Sequence, residues 1–98
     1  MANIFIARLT YTVPIEQVDA LLESHLAFLK EGYRVGHFLA WGPCEPREGG
    51  LIFIRAENRK QAEQLTNADP FLIEQVANRE IIEWAPRFTG SGLEAFDG

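Results

Sequence analysis

Cysteine is almost absent from this 98-residue chain. With Cys44 alone, no intrachain disulfide can form and no Cys-x-x-Cys redox or zinc pattern exists. Cys44 follows Gly42-Pro43 in a turn, and nothing beyond scattered arginines would activate its thiol. Long apolar runs are missing too: none approaches the ~20 residues that a bilayer-spanning helix needs. The opening Met1-Ala2-Asn3-Ile4-Phe5 shows neither the basic region nor the cleavage site of a signal peptide, so the expected location is the cytoplasm. Positive charge is short, with nine Lys and Arg against 14 Asp and Glu and a net charge of −5. The basic residues are scattered, which removes the attraction to phosphate backbones and argues against a nucleic-acid partner. Neither an internal repeat nor a low-complexity segment interrupts the order.

What remains is an ordinary globular composition, 47% hydrophobic and 23% charged, in a length that suits one core and not two. One domain is expected over residues 1–88, with 89–98 as a C-terminal tail. Asn3 to Tyr11 is rich in β-branched and aromatic residues and reads as a strand. Thr12 or Val13 as N-cap, with Pro14 near the first helical position, predicts a helix over 14–31, closed by Gly32. His37–Gly42 and Leu51–Ala56 predict a hairpin around the turn formers of Pro43–Gly50. Asn58 with Gln61 three residues on is a capping-box pattern that predicts a helix over 59–67. Asp69-Pro70 predicts a further short helix to Val76, and Arg79–Ala85 a last strand stopped by Pro86.

The order β-α-β-β-α-β is that of an α+β ferredoxin-like unit, an antiparallel sheet with its helices on one face. Both faces of the strands are apolar, however. Phe5, Ala7 and Leu9 alternate with Ile4 and Ile6, and Ile52 and Ile54 alternate with Leu51 and Phe53. Two helices cannot cover both sides, which predicts a homodimer packed sheet to sheet. Leu93 and Phe96 of the tail would pack over their own domain or reach that partner.

At 100° per residue, Val18, Leu22, His25 and Leu29 fall within an arc of about 60°, flanked by Ile15, Leu21 and Leu26. A titratable ring thus stands in the middle of an apolar stripe, where leucine would pack better. A core histidine satisfied by a backbone carbonyl would also explain it. The carboxylate best placed to partner it is Asp69, at a helix start, although Asp before Pro is equally a plain N-cap. The two roles are compatible because a carboxylate accepts several hydrogen bonds. Burial lowers an imidazole's pKa and a carboxylate raises it, so such a pair can exchange a proton near neutrality. Ser24 diverges from His25 by 100° on a helix, which makes a direct serine–histidine pair geometrically poor and discounts a serine triad. His25, His37 and Asp69 show no metal-ligand spacing, and no metal or other cofactor is expected. Arg8 and Arg55 could clamp an anion or point to solvent, and Trp41 and Trp84 are core, interface or pocket-wall aromatics.

Ser24-His25-Leu26-Ala27-Phe28-Leu29, Leu39-Ala40-Trp41-Gly42-Pro43 and Ala68-Asp69-Pro70-Phe71 together resemble the YciI-like (YCII-related) family over roughly residues 1–88. The pattern is a helix-borne His followed by Leu, a Gly-Pro ending the second strand, and Asp-Pro-aromatic at a helix start. The resemblance implies a dimeric α+β barrel-type assembly of ferredoxin-like units and an active site built on His25 and Asp69. It also implies proton-transfer and elimination chemistry, dechlorination of a hydroxylated aromatic ring being the best-defined case. Expected ligand contacts are Arg8, Trp41, Gly42, Pro43 and Phe71. The loop Cys44–Gly50 is shorter than in many relatives, and the tail after Phe88 lies outside the pattern. The leading expectation is a lyase- or isomerase-type enzyme acting on a small molecule. The rival is a noncatalytic binding or regulatory module on the same fold. An RNA-recognition module would need more strand aromatics than Phe53 within Leu51–Ile54 and a basic sheet face.

Overall fold

The computed structural model describes residues 3–97; Met1, Ala2 and Gly98, at the ends of the expected domain and tail, lie outside the described residues. Four strands form one antiparallel sheet: β1 (Ile4–Tyr11), β2 (Phe38–Pro43), β3 (Gly49–Arg55) and β4 (Ala77–Trp84), in the order β2-β3-β1-β4. The helices are α1 (Ile15–Asp19), α2 (Leu22–Arg34), α3 (Arg59–Thr66) and α4 (Pro70–Ile73), giving a small α+β fold.

Strand alternation sorts the sheet's side chains as expected. Phe5, Ala7 and Leu9 join Ile52, Ile54 and Ile81 beneath the helices, with Val18, Leu29, Ala62 and Phe71 closing the core from above. Ile6 pairs with Phe53 and Ile82 on the opposite face, and Arg8 with Leu51 and Glu80. Part of that outer face is covered by the chain itself. A 3-10 turn at Glu94–Phe96 lays Phe96 against Phe53 and Trp84, at centroid distances of 5.5 and 6.2 Å, while Arg55 donates to the Ala95 carbonyl. Of the two courses open to the tail, it takes the one over its own domain.

Helix boundaries depart from the expected ones where tertiary packing intervenes. The helix expected over 14–31 is two helices, with Pro14 as N-cap of α1 and a break at Ala20-Leu21. There the Leu21 amide bonds to the Val18 carbonyl at 3.0 Å, a tighter three-residue step that resets the helix direction. Gly32 is no stop signal. It lies inside α2 because the Phe38 ring packs against it, and a Cβ there would come within 2.0 Å of Phe38 Cδ2. The true stop is Gly36, at φ 91°, where the Gly36 amide bonds to Tyr33 and the His37 amide to Gly32 in a Schellman arrangement. α4 ends three residues early by the same device. Val76 and Gln75 amides bond to the Phe71 and Leu72 carbonyls, with Gln75 at φ 58° where glycine or asparagine is usual.

Candidate active site

Two helix segments far apart in sequence bring the site together. α2 carries His25 on the stripe that faces the sheet, and it is buried with Leu29 while the polar residues of α2 point outward. α4 starts at Asp69, whose Oδ1 accepts the Phe71 amide hydrogen at 2.9 Å, and Pro70 occupies the first turn, where its missing N–H costs nothing. That cap aims the same oxygen at α2. His25 Nδ1 lies 2.8 Å from Asp69 Oδ1, across 44 residues of sequence.

With the carboxylate ionised and the imidazole neutral, Asp69 can only accept, so Nδ1 carries the hydrogen and Nε2 is left as the lone-pair nitrogen. Nε2 has no hydrogen-bond partner among the described residues. Phe71 fixes the ring plane, stacked on the imidazole at a centroid distance of 3.8 Å and an interplanar angle of 5°. The pair is therefore held in position and in tautomer, as a proton-transfer group must be.

Asp69 is fully buried, and its Oδ2 has no hydrogen-bond partner among the described residues. A buried carboxylate with an idle oxygen is destabilising by about 1–3 kcal/mol or more. An N-cap has no need of that cost, since an exposed neutral asparagine performs the same backbone task at α3. A buried polar atom left without a partner in a folded protein calls for an explanation, and a role in catalysis is one.

His25 forms part of the wall of a cavity of about 330 Å³. A cavity of about 150 Å³ is enough for a benzene ring, so this one can hold a substituted ring. Leu22, Leu26 and Leu29 line it from α2, Leu9 and Ile52 from the sheet, and Trp41 and Phe71 add aromatic surface. Of the residues expected to contact a ligand, Trp41, Gly42, Pro43 and Phe71 all line this cavity. Asp69 stands behind His25 and does not line it.

Arg8 corrects the expectation made for it. Its inward neighbours in β1 are Ala7 and Leu9, so its own side chain leaves the sheet on the outer face, where it pairs with Glu80. It is absent from the cavity lining. Arg55 also leaves on that side, toward the tail. Ser24 Oγ is occupied by the Leu21 carbonyl at 3.0 Å, and neither Cys44 nor His37 lines the cavity. Among the described residues no group of three His, Cys, Asp or Glu is arranged to hold a metal.

Of the lining residues that the sequence reading did not assign to the site, two carry polar groups, Tyr11 and Arg47. Tyr11 continues the inward parity of Phe5, Ala7 and Leu9 and could have been found by counting on by two. Arg47 sits in the β2–β3 loop, where no period applies. Its guanidinium lies 5.8 Å from the Tyr11 ring centroid and pairs with Asp19 Oδ1 at 2.7 Å. Asp19, and after it the Tyr11 hydroxyl, hold the guanidinium's pKa above its ordinary value against the opposing effect of desolvation.

The model of the YCII-related domain matches residues 4–85, a span that includes the four strands, the four helices and the His25–Asp69 pair. No curated protein matches the sequence. Among solved structures, the chain is similar in fold to 5-chloro-2-hydroxyhydroquinone dehydrochlorinase from Burkholderia phenoliruptrix AC1100 in complex with 2,5-dihydroxybenzoquinone. The TM-score is 0.71 at 17% identity, over 84% of this chain and 93% of that one. With its sequence matched across the whole sheet and its fold shared with that enzyme, this chain belongs to the YCII-related domain family.

Proposed function

We propose that this chain is a small acid–base enzyme of lyase or isomerase type, with His25 as the proton-transfer group and Asp69 as its orienting and charge-stabilising partner. Its substrate is a small hydroxylated aromatic ring, chlorinated in the case to be tested first. The observation that carries this reading is the 2.8 Å contact between His25 and a fully buried Asp69 at the wall of an apolar, ring-sized cavity. Trp41, Gly42, Pro43 and Phe71 form the ligand's surroundings.

The chemistry closes without an oxidant. On a chlorinated trihydroxybenzene, His25 Nε2 accepts a proton from one ring hydroxyl, and its imidazolium delivers a proton to the carbon that bears chlorine. Nε2, free again, takes the proton of a second hydroxyl and passes it to water, the electron pair moves round the ring, and the C–Cl bond breaks with chloride taking the bonding pair. The sum is loss of HCl and formation of a hydroxyquinone. Asp69 favours the transient imidazolium and keeps the ring in the tautomer that returns it to work.

The strand order and the apolar outer face also support a ferredoxin-like unit that pairs sheet to sheet with a second copy. The lone thiol of Cys44 suits a reducing compartment, and the cytoplasm is the place of action this reading takes. The test is chloride release from 5-chloro-2-hydroxyhydroquinone by the native protein and by His25→Gln. The reading expects turnover by the native chain and a loss of about 10²-fold or more in the variant. Equal release by both would overturn it.

A further inference from the structure

We infer that Arg47 is the anion anchor of the cavity, and that the ligand it selects is a planar aromatic or enolic ring bound as its oxyanion. The inference rests on the reading of this cavity as the ligand site, though not on turnover.

Four observations carry it. Among the described residues, Arg47 is the one permanently charged group in a lining that, apart from His25, is made of glycine and apolar and aromatic side chains, and no carboxylate lines the cavity. Both basic groups of the lining are gripped from behind by an acid, His25 by Asp69 and Arg47 by Asp19. Each acid stands outside the lining, so the cavity meets an imidazole and a guanidinium without meeting their carboxylates. The Asp19 contact at Nη2 engages one corner of a guanidinium that has five N–H donors.

A run of rings joins the two groups. Arg47 lies against Tyr11, Tyr11 meets Phe71 edge-on at 6.0 Å, and Phe71 stacks on His25. Arg47 and His25 line the same cavity, so a ligand ring seated there has a guanidinium available to its oxyanion and an imidazole available to a hydroxyl. A hydrogen bond to a charged oxygen in an apolar site is about twice as strong as a neutral one, so Arg47 discriminates between ionised and un-ionised forms of the same ring. The protein's net charge of −5 repels anions at long range, which leaves this local contact to make the selection.

The probe is 4-nitrophenol, whose phenolate absorbs visible light, with 4-nitroanisole as the neutral isostere. The native protein should bind 4-nitrophenol with a shift toward the phenolate spectrum at mildly acid pH, and His25→Gln should retain that shift. Arg47→Gln should abolish it and weaken phenolate binding by about tenfold. It should leave 4-nitroanisole binding within about twofold, which also reports an intact cavity. Binding of un-ionised 4-nitrophenol to the native protein, or an equal loss for both probes in Arg47→Gln, would overturn the inference. Loss of chloride release in His25→Gln with phenolate selection retained keeps both proposals. No chloride release by the native chain, with selection retained, removes only the catalytic one.

Discussion

Asn58 and Asp69 begin neighbouring helices and perform the same backbone task. Asn58 accepts the Gln61 amide at 2.8 Å and Asp69 accepts the Phe71 amide at 2.9 Å, and each closes a first turn that would otherwise leave donors unsatisfied. Beyond that they part. Asn58 is exposed and neutral, and its cap is completed by Gln61 Oε1, which reaches back to the Glu57 amide at 2.6 Å. Asp69 is fully buried and bears an idle oxygen, and its second partner is a histidine stacked on the very residue whose amide it caps. The α3 cap shows what helix initiation requires in this chain. Everything at α4 in excess of it is left for chemistry to explain.

The residue held by each cap offers the largest contrast. Phe71 is buried against the core and under the His25 ring, so Phe71→Ala should cost about 3–5 kcal/mol in denaturant unfolding. Gln61→Ala, at the matching place in α3, should cost about 1 kcal/mol or less. Comparable losses would mean that α4 is no more tied to the core than α3. The cap residues come next. Asp69→Asn keeps an oxygen for the Phe71 amide but removes the charge, and chloride release should fall about 10²-fold while stability changes by no more than about 1–2 kcal/mol. Asn58→Ala should do the reverse, costing about 1 kcal/mol and leaving turnover unchanged.

Another carboxylate that accepts backbone amides, though not a helix cap, sharpens the comparison because it can be titrated. In the tail turn, the Glu94 carboxylate takes its own backbone amide hydrogen and that of Gly92, and these contacts hold its pKa below the ordinary 4.5. A carboxylate lowered in the folded state stabilises above its ordinary pKa, and that contribution is lost as the pH falls through the lowered value. The smallest expected effect is therefore a loosening of Phe96 from Trp84 below about pH 4.5, seen in the Trp84 indole resonance and absent from Glu94→Gln. A transition shared with His25 resonances would instead tie the tail to the site.

Strands and caps were legible because each is written in a short local pattern. The alternation of β1 and β3 assigned the two faces, Asn58 with Gln61 announced α3, and Asp69-Pro70 announced α4. The position of His25 on its stripe was legible for the same reason. The break at Leu21, the burial of Gly32 beneath Phe38 and the positive φ of Gln75 were not, since each is imposed by residues distant in the chain. Gly32 in particular carries the signature of a helix stop, and only the Phe38 ring shows that it is a contact surface. The meeting of His25 with Asp69 spans 44 residues; the helical stripe nominated the ring, the Asp-Pro helix start nominated the carboxylate, and the family resemblance added weight to a pairing that no local pattern could fix in space. Arg8 had the right charge on the wrong face, whereas Arg47 lay in a loop with no period to reveal it.

The most direct test of the central claim, that His25 and Asp69 act as one proton-transfer unit, is a double-mutant cycle on kcat/KM for chloride release. His25→Gln, Asp69→Asn and the double variant should show strong non-additivity, the double being no slower than His25→Gln alone. If the two losses multiply, or if neither variant is slower than the native protein, the pair is not the catalytic unit described here.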